Sequence, residues 1–219
     1  MRSLPLFLIA FICIFAGSIY GQSKFDSVTG ILIDNTGSMR TQLFWEQSLA
    51  KTVVGRIKKE SAISLFGFAT DSAQPYQRAS WAKMIQCSPD RDAVVSHVAK
   101  VTTAAGQTKL YDAIRFSAES LRKSPGCENS EATLILISDG EDRASEIRQD
   151  ELFKLLTETK VKVLVIGLID ELLDEPGFTA RSPAKKSKDF LKKLTSLTGG
   201  KVVFATKKMT AEEVVTELF

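Results

Sequence analysis

The stretch that decides the fold is TLILISDG, residues 133–140, in which a run of aliphatic side chains ends in a polar turn. A second aliphatic run, VKVLVIG, occupies residues 161–167. Both runs are nearly continuous, without regular alternation of apolar and polar side chains, which is typical of parallel strands covered by helices on both faces. These two segments therefore predict two central strands of a parallel sheet.

Shorter apolar runs and amphipathic segments alternate on either side of these strands. Their alternation predicts an α/β fold with a doubly wound, mostly parallel central sheet of about six strands, flanked by helices on both faces. Residues 170–186 show no clear periodicity and predict a surface loop, and Ser145 is a candidate helix cap. The other predicted strands are residues 28–33, 62–68, 82–87 and 202–205, and the predicted helices are residues 43–57, 90–101, 110–121, 146–159 and 188–197, with a last helix from residue 210.

The N-terminus has the pattern of a secretory signal peptide. Arg2 precedes an apolar run that ends in the small residues Gly17 and Ser18. We predict a signal peptide over residues 1–21, with cleavage near residues 18–21, and a single domain over residues 22–219. The chain is then secreted or located in the periplasm or cell envelope. The alternative is an uncleaved membrane anchor, because the apolar run approaches the length that spans a bilayer.

Composition and cysteine usage narrow the class of protein. A hydrophobic content of 44%, with 25% charged residues, is that of an ordinary globular domain. The net charge of +3 is too small to indicate nucleic-acid binding. Cleavage of the signal peptide removes Cys13. The remaining pair, Cys87 and Cys127, predicts a disulfide in an oxidising compartment. The alternative is two buried free thiols.

Polar side chains follow the predicted strands at the points where these strands end. Asp34, Thr36 and Ser38 follow the first strand, Asp139 follows the strand at residues 133–137, and Thr108 precedes the helix at residue 110. In doubly wound sheets, ligands bind at the carboxyl ends of the strands. Carboxylates and hydroxyls are hard oxygen donors, which suit Mg²⁺ or Mn²⁺, with Ca²⁺ less favoured. A single histidine in the chain excludes a His-rich zinc site.

These polar segments form three ordered motifs that resemble the metal-ion-dependent adhesion site of von Willebrand factor type A (VWA) domains. The family occurs in integrins and in many bacterial secreted proteins. Its first motif, Asp-x-Ser-x-Ser, is matched by DNTGS, residues 34–38. Its later threonine is matched by Thr108 and its final aspartate by Asp139. Thr36 departs from the family pattern, which usually has serine at that position.

The resemblance implies a docking site for a partner protein. Thr36, Ser38 and Thr108 are then expected to ligate the ion directly. Asp34 and Asp139 are expected to ligate it directly or through water. Because only two carboxylates balance the charge of the ion, a Glu or Asp side chain of a partner protein is the expected further ligand.

A second hypothesis is a binding module that uses no metal. A basic surface near the last helices would then bind an anionic partner, although a solvated helix face explains the same charges. Under either hypothesis we expect a monomer that does not bind nucleic acid. The basic surface consists of Arg181, Lys185, Lys186, Lys188, Lys192 and Lys193.

We expect no enzymatic activity. An aspartic protease has threonine directly after its aspartate, whereas Asn35 separates Asp34 from Thr36. A serine hydrolase of the α/β type needs Gly-x-Ser-x-Gly, which the sequence lacks. The single histidine, His97, falls within a predicted helix. A hydrolase is therefore only a remote alternative.

Overall fold

The computed structural model describes residues 24–69, 80–103, 107–169 and 182–219. The predicted signal peptide, Arg181 and most of the predicted loop at residues 170–186 lie outside these ranges. Six strands form one sheet in the described residues. The strands are β1 (Ser27–Ile33), β2 (Ala62–Ala69), β3 (Ser80–Ser88), β4 (Glu131–Ser138), β5 (Lys162–Gly167) and β6 (Val202–Phe204). All neighbouring strands are parallel except β2 and β3.

Strand β1 lies in the middle of the sheet, whose order is β3-β2-β1-β4-β5-β6. After β1, the chain adds β2 and β3 on one side of this strand and then crosses over to add β4, β5 and β6 on the other side. The winding therefore reverses between β1 and β4, which is where open α/β sheets bind ligands. Ile33, the last residue of β1, is paired with Gly67 of β2 and Ile137 of β4. Three strands thus end at nearly the same level beside the reversal point.

Helices cover both faces of the sheet, as the sequence predicts. Residues of one strand alternate between the two cores, because successive side chains point to opposite faces. The helices are α1 (Leu43–Arg56), α2 (Arg91–Val98), α3 (Leu110–Lys123), α4 (Gln149–Thr159), α5 (Pro183–Thr198) and α6 (Ala211–Leu218). Leu32 of β1 belongs to the core beneath α3, α4 and α5, and Ile33 to the core beneath α1, α2 and α6.

Three predicted helix bounds are wrong. Helix α4 begins at Gln149 rather than at residue 146, and its N-cap is Arg148 rather than Ser145. Helix α5 begins at Pro183, inside the predicted loop, because Ser182 caps it by accepting a hydrogen bond from the Lys185 amide and proline is favoured in the first turn. Helix α2 ends at Val98, three residues before the predicted end.

The predicted disulfide between Cys87 and Cys127 is confirmed, with 6.3 Å between the two Cα atoms. It joins the edge strand β3 to the turn that follows α3. Ser88 is paired with Ile63 near the beginning of β2, so the bond lies at the amino-terminal edge of the sheet, opposite the carboxyl ends of the parallel strands. None of the helices in the described ranges is long and apolar enough to cross a membrane.

Candidate metal site

Two aspartates define the site, because each is the first residue after a central strand. Asp34 follows β1 and Asp139 follows β4. The Asp34 amide donates to the Ile137 carbonyl at 3.0 Å, which holds the end of β1 against β4. Both side chains are buried, with 0% of Asp34 and 2% of Asp139 exposed.

The loop after Asp34 turns at once into a short 3-10 helix, Gly37–Met39. Met39 is 1% exposed and fixes this turn in the core. Thr36 precedes the turn in an extended conformation and is buried, whereas Ser38 lies within it and is exposed. The site is therefore open to solvent on the side of Ser38.

Asp34 is the centre of the hydrogen-bond network. Its Oδ1 accepts from the Thr36 hydroxyl at 2.8 Å and from the Thr36 amide at 3.3 Å. Its Oδ2 accepts from the Ser138 hydroxyl at 2.7 Å. Ser138 also accepts from the Gly140 amide at 2.9 Å. Ser138 was not predicted as a site residue; its position between a buried strand and Asp139 was the only sequence signal for it.

The three predicted hydroxyl ligands lie next to one another. Thr108 Oγ1 donates to Thr36 Oγ1 at 3.2 Å, and Thr36 Oγ1 lies 3.3 Å from Ser38 Oγ. Ser38 is hydrogen-bonded to the Asp139 side chain. The Thr36 and Ser38 protons are therefore directed to carboxylates, and oxygen lone pairs of these hydroxyls remain to accept a cation. All five predicted ligands are brought together at one edge of the sheet.

The electrostatics of the two aspartates fit a cation. Burial, together with the charge of Asp139, raises the pKa of Asp34 to about 7. Burial also raises the pKa of Asp139, against hydrogen bonds from the Glu141 amide and Ser38 that lower it. Two neighbouring buried carboxylates repel each other, and a bound divalent ion would relieve this repulsion. No group of three or more His, Cys, Asp or Glu side chains suited to hold a metal occurs in the described ranges, so hydroxyls would have to complete the site.

Asn35 fills the position that the motif leaves variable, and the structure gives it a specific role. Its Oδ1 accepts from the Phe68 amide at 2.8 Å, and its Nδ2 donates to the Thr102 carbonyl at 2.6 Å. Asn35 is 4% exposed. It therefore ties the loop after β1 to the end of β2 and to the segment after α2. In the sequence, only the position of Asn35 inside the first motif could have indicated this connecting role.

The Thr108 loop is held against the loop after β4. The Thr108 carbonyl accepts from the amides of Arg143 and Ala144, at 2.9 and 3.1 Å. Ser145, predicted as a helix cap, instead donates to Asp142 and accepts from the amide of Asp112. These bonds fix the distance between the threonine and aspartate motifs, although the two are far apart in sequence.

Gly140 allows the chain to turn directly after Asp139. Its φ of +78° lies in the left-handed region, which side chains other than glycine rarely adopt. A Cβ at this position would also come within 2.9 Å of Leu191 Cδ1 on α5. The glycine of the third motif is therefore required for the close packing of α5 beside the site.

The described part of the basic surface lies on α5. The described lysines of the set, 185, 186, 188, 192 and 193, are all exposed. The Lys188 ammonium lies 5.1 Å from the centre of the Phe204 ring, and the Lys193 ammonium lies 5.0 Å from that of Phe153. Two of these charges therefore already interact with the protein's own aromatic rings. Arg181 lies outside the described residues.

The family model of the von Willebrand factor type A domain matches residues 30–217, and the chain belongs to this family. VWA domains generally bind protein partners. The match covers the sheet and its flanking helices, including all three motifs. None of the curated proteins compared with the chain by sequence matches it significantly.

Solved structures support the same fold. An aerotolerance-related membrane protein from Bacteroides fragilis is 14% identical with a TM-score of 0.63, over 88% of this chain and 96% of that one. The BatB protein from Bacteroides thetaiotaomicron is 16% identical with a TM-score of 0.62, over 87% and 96% of the two chains. A von Willebrand factor type A protein from Catenulispora acidiphila is 18% identical with a TM-score of 0.61, over 88% of this chain and 42% of that one.

Proposed function

We propose that this chain is an exported protein-binding module without enzymatic activity, which docks an acidic side chain of a partner protein through Mg²⁺ or Mn²⁺. The observation that carries the proposal is the convergence of two buried aspartates and three hydroxyls at the reversal point of the sheet. The proposed ligands are Asp34, Thr36, Ser38, Thr108 and Asp139.

Each side chain has a defined task in this proposal. Ser38 and Thr36 offer hydroxyl oxygens on the solvent side, and Thr108 supplies a third from the neighbouring loop. Asp34 and Asp139 provide the negative charge and orient the Thr36 and Ser38 hydroxyls by accepting hydrogen bonds from them. The bound ion supplies a coordination position for an outside carboxylate. Because three of the five proposed ligands are neutral hydroxyls, the ion can still attract that carboxylate as a further ligand.

The competing proposal is docking of an anionic partner on the lysines of α5. The two modes respond differently to solution conditions. Docking through the ion is lost when a chelator removes it and depends little on moderate salt. Docking on exposed lysines weakens with salt, because exposed charges are screened, and is insensitive to chelator.

The proposal is tested first with the ion alone, by titrating Mg²⁺ or Mn²⁺ into metal-free protein in a thermal-unfolding assay. An ion that binds only the folded state raises the unfolding temperature. Thr108→Ala is expected to abolish the rise. Thr195→Ala is the matched control, since Thr195 is equally buried and its hydroxyl donates to the Leu191 carbonyl within α5. A wild-type protein that shows no ion-dependent stabilisation would contradict the proposed function.

A further inference from the structure

Glu46, in the first turn of α1, is buried without a hydrogen-bond partner. Its exposed fraction is 0%, and neither carboxylate oxygen is hydrogen-bonded in the described structure. Of the other described side-chain atoms, only the hydroxyl of Ser117 shares both properties. A buried carboxylate without a partner is strongly unfavourable. Its presence therefore calls for an explanation.

Glu46 lies close to the first motif along the chain, because α1 begins at Leu43, five residues after Ser38. It lies in the first turn of α1, on the same buried face as Ala50 and Val53. Burial, together with the charges of Asp34 and Asp139, raises the pKa of its carboxyl group well above the usual range. Glu46 is thus electrostatically coupled to both aspartates of the site.

No cationic side chain in the described part of the chain is buried near these three acids. The buried polar residues in the described ranges include Asp34, Glu46 and Asp139 but no lysine, arginine or histidine. Arg143, the basic residue that acts on Asp139, is more than half exposed and is paired with Glu141. Within the described ranges, no buried side chain therefore supplies positive charge to balance these acids.

We propose that Glu46 is a third carboxylate of the metal site, and that it accepts hydrogen bonds from water molecules bound to the ion. This inference rests on the proposed function. Contact through water, rather than direct ligation, agrees with the lack of three acidic side chains suited to hold one metal in the described ranges. Coordinated water has strongly polarised O–H groups and is a suitable partner for an otherwise unpaired carboxylate.

A docking site must hold its ion tightly and must also leave a coordination position free for the partner, and contact through water allows Glu46 to serve both requirements. Direct ligation by Glu46 would neutralise the ion further and occupy a position that a partner carboxylate needs. At the distance of one water molecule, Glu46 still strengthens ion binding and leaves the direct positions to hydroxyls and the partner.

The experiment measures Mn²⁺ dissociation constants by calorimetry for wild type, Glu46→Gln and Glu46→Met. Glutamine keeps the shape of the side chain, and methionine keeps its approximate volume without a polar atom, so two variants with different folding risks are available. The matched control is Ser117→Ala, which removes the other buried and unpartnered polar atom, on α3. Loss of a group that orients the ligands of a metal weakens binding about 10–100-fold.

We expect both Glu46 variants to bind Mn²⁺ at least about tenfold more weakly than wild type, with Ser117→Ala unchanged. An unchanged dissociation constant in the folded Glu46 variants, with normal binding by wild type, would overturn this inference and leave the proposed function intact. Failure of the wild type itself to bind Mn²⁺ would overturn both.

Discussion

Two regions of the molecule, the aliphatic middle of the sheet and a group of acidic residues, are equally buried but have opposite effects on stability. In the middle of β4, Leu134 and Ile135 are 0% exposed, and burial of aliphatic side chains stabilises the folded state. Asp34, directly after β1, and Glu46, on α1, are also 0% exposed, but they carry carboxylates. Burial of carboxylates without a cationic partner lowers stability. In the proposed function, a bound cation would offset this cost at the acidic residues.

The largest effect is expected in the aliphatic region. Ile135→Ala removes a fully buried side chain and leaves a cavity, so it should lower the free energy of unfolding by about 2–5 kcal/mol. The loss should be the same with and without Mg²⁺, because Ile135 belongs to the apolar core. Chemical denaturation measures both values. A loss that Mg²⁺ restores would show that the two regions are not independent.

The second largest effect is the stabilisation of the folded protein by Mg²⁺. At about 100 times its dissociation constant, Mg²⁺ should raise the free energy of unfolding of wild type by about 2.7 kcal/mol. Asp34→Asn should abolish this gain and also make the metal-free protein more stable, because it removes a buried charge. Denaturation with chelator and with ion tests both effects. A metal-free Asp34→Asn protein less stable than wild type would contradict the proposed cost of the buried charge.

The third effect is a pH dependence of the metal-free protein. Burial raises the pKa of Asp34 from 3.8 to about 7, so between these values the folded state binds a proton that the unfolded state releases. Stability from this group is therefore present below about pH 4 and falls as pH rises toward 7. Between pH 6 and 7 the expected loss is about 1 kcal/mol.

The measurement is the difference in unfolding free energy between wild type and Asp34→Asn as a function of pH in chelator. This difference removes the contributions of the other titrating groups. Ion affinity should show the opposite trend and rise with pH, because the ion competes with the proton on Asp34. A pH-independent difference would contradict the raised pKa of Asp34.

The smallest effect is expected at the position where the motif departs from the family pattern. Thr36→Ser keeps the hydroxyl and removes one buried methyl group, so stability should fall by about 0.8 kcal/mol. The stabilisation by Mg²⁺ should remain. Thr36→Val is the matched variant, because it keeps the shape and loses the hydroxyl, and its ion-dependent stabilisation should disappear. Equal ion responses in the two variants would remove Thr36 from the ligand set.

The sequence predicts the strands well because their aliphatic runs leave few alternatives. The runs at residues 133–137 and 161–167 correspond to β4 and β5, and the motif residues follow the strand ends in the family order. The start of α4 was predicted wrongly because Ser145 has the chemistry of a cap. Its hydroxyl is instead bonded to Asp142, a tertiary contact that local sequence does not reveal.

Glu46 is a candidate site residue that the sequence analysis did not predict. The predicted helix at residues 43–57 has apolar residues at helical spacing, among them Leu43, Leu49 and Val53, and position 46 lies on the same face. A glutamate on the apolar face of a predicted helix could have indicated a buried acid, but single charged residues on such faces are common and do not by themselves indicate a functional site. Its burial and its coupling to Asp34 depend on how α1 packs beside the first motif, which only the three-dimensional structure provides.

The position of β1 has a mechanical consequence. From Val28 to Ile33 this strand is paired in parallel with β2 on one side and with β4 on the other. A pull exerted along the strand by a partner held at Asp34 would be shared by two rows of hydrogen bonds loaded in shear, which must yield together rather than one after another. The sheet thus forms a stiff connection from its carboxyl edge to the opposite edge, where Cys87 and Cys127 are joined.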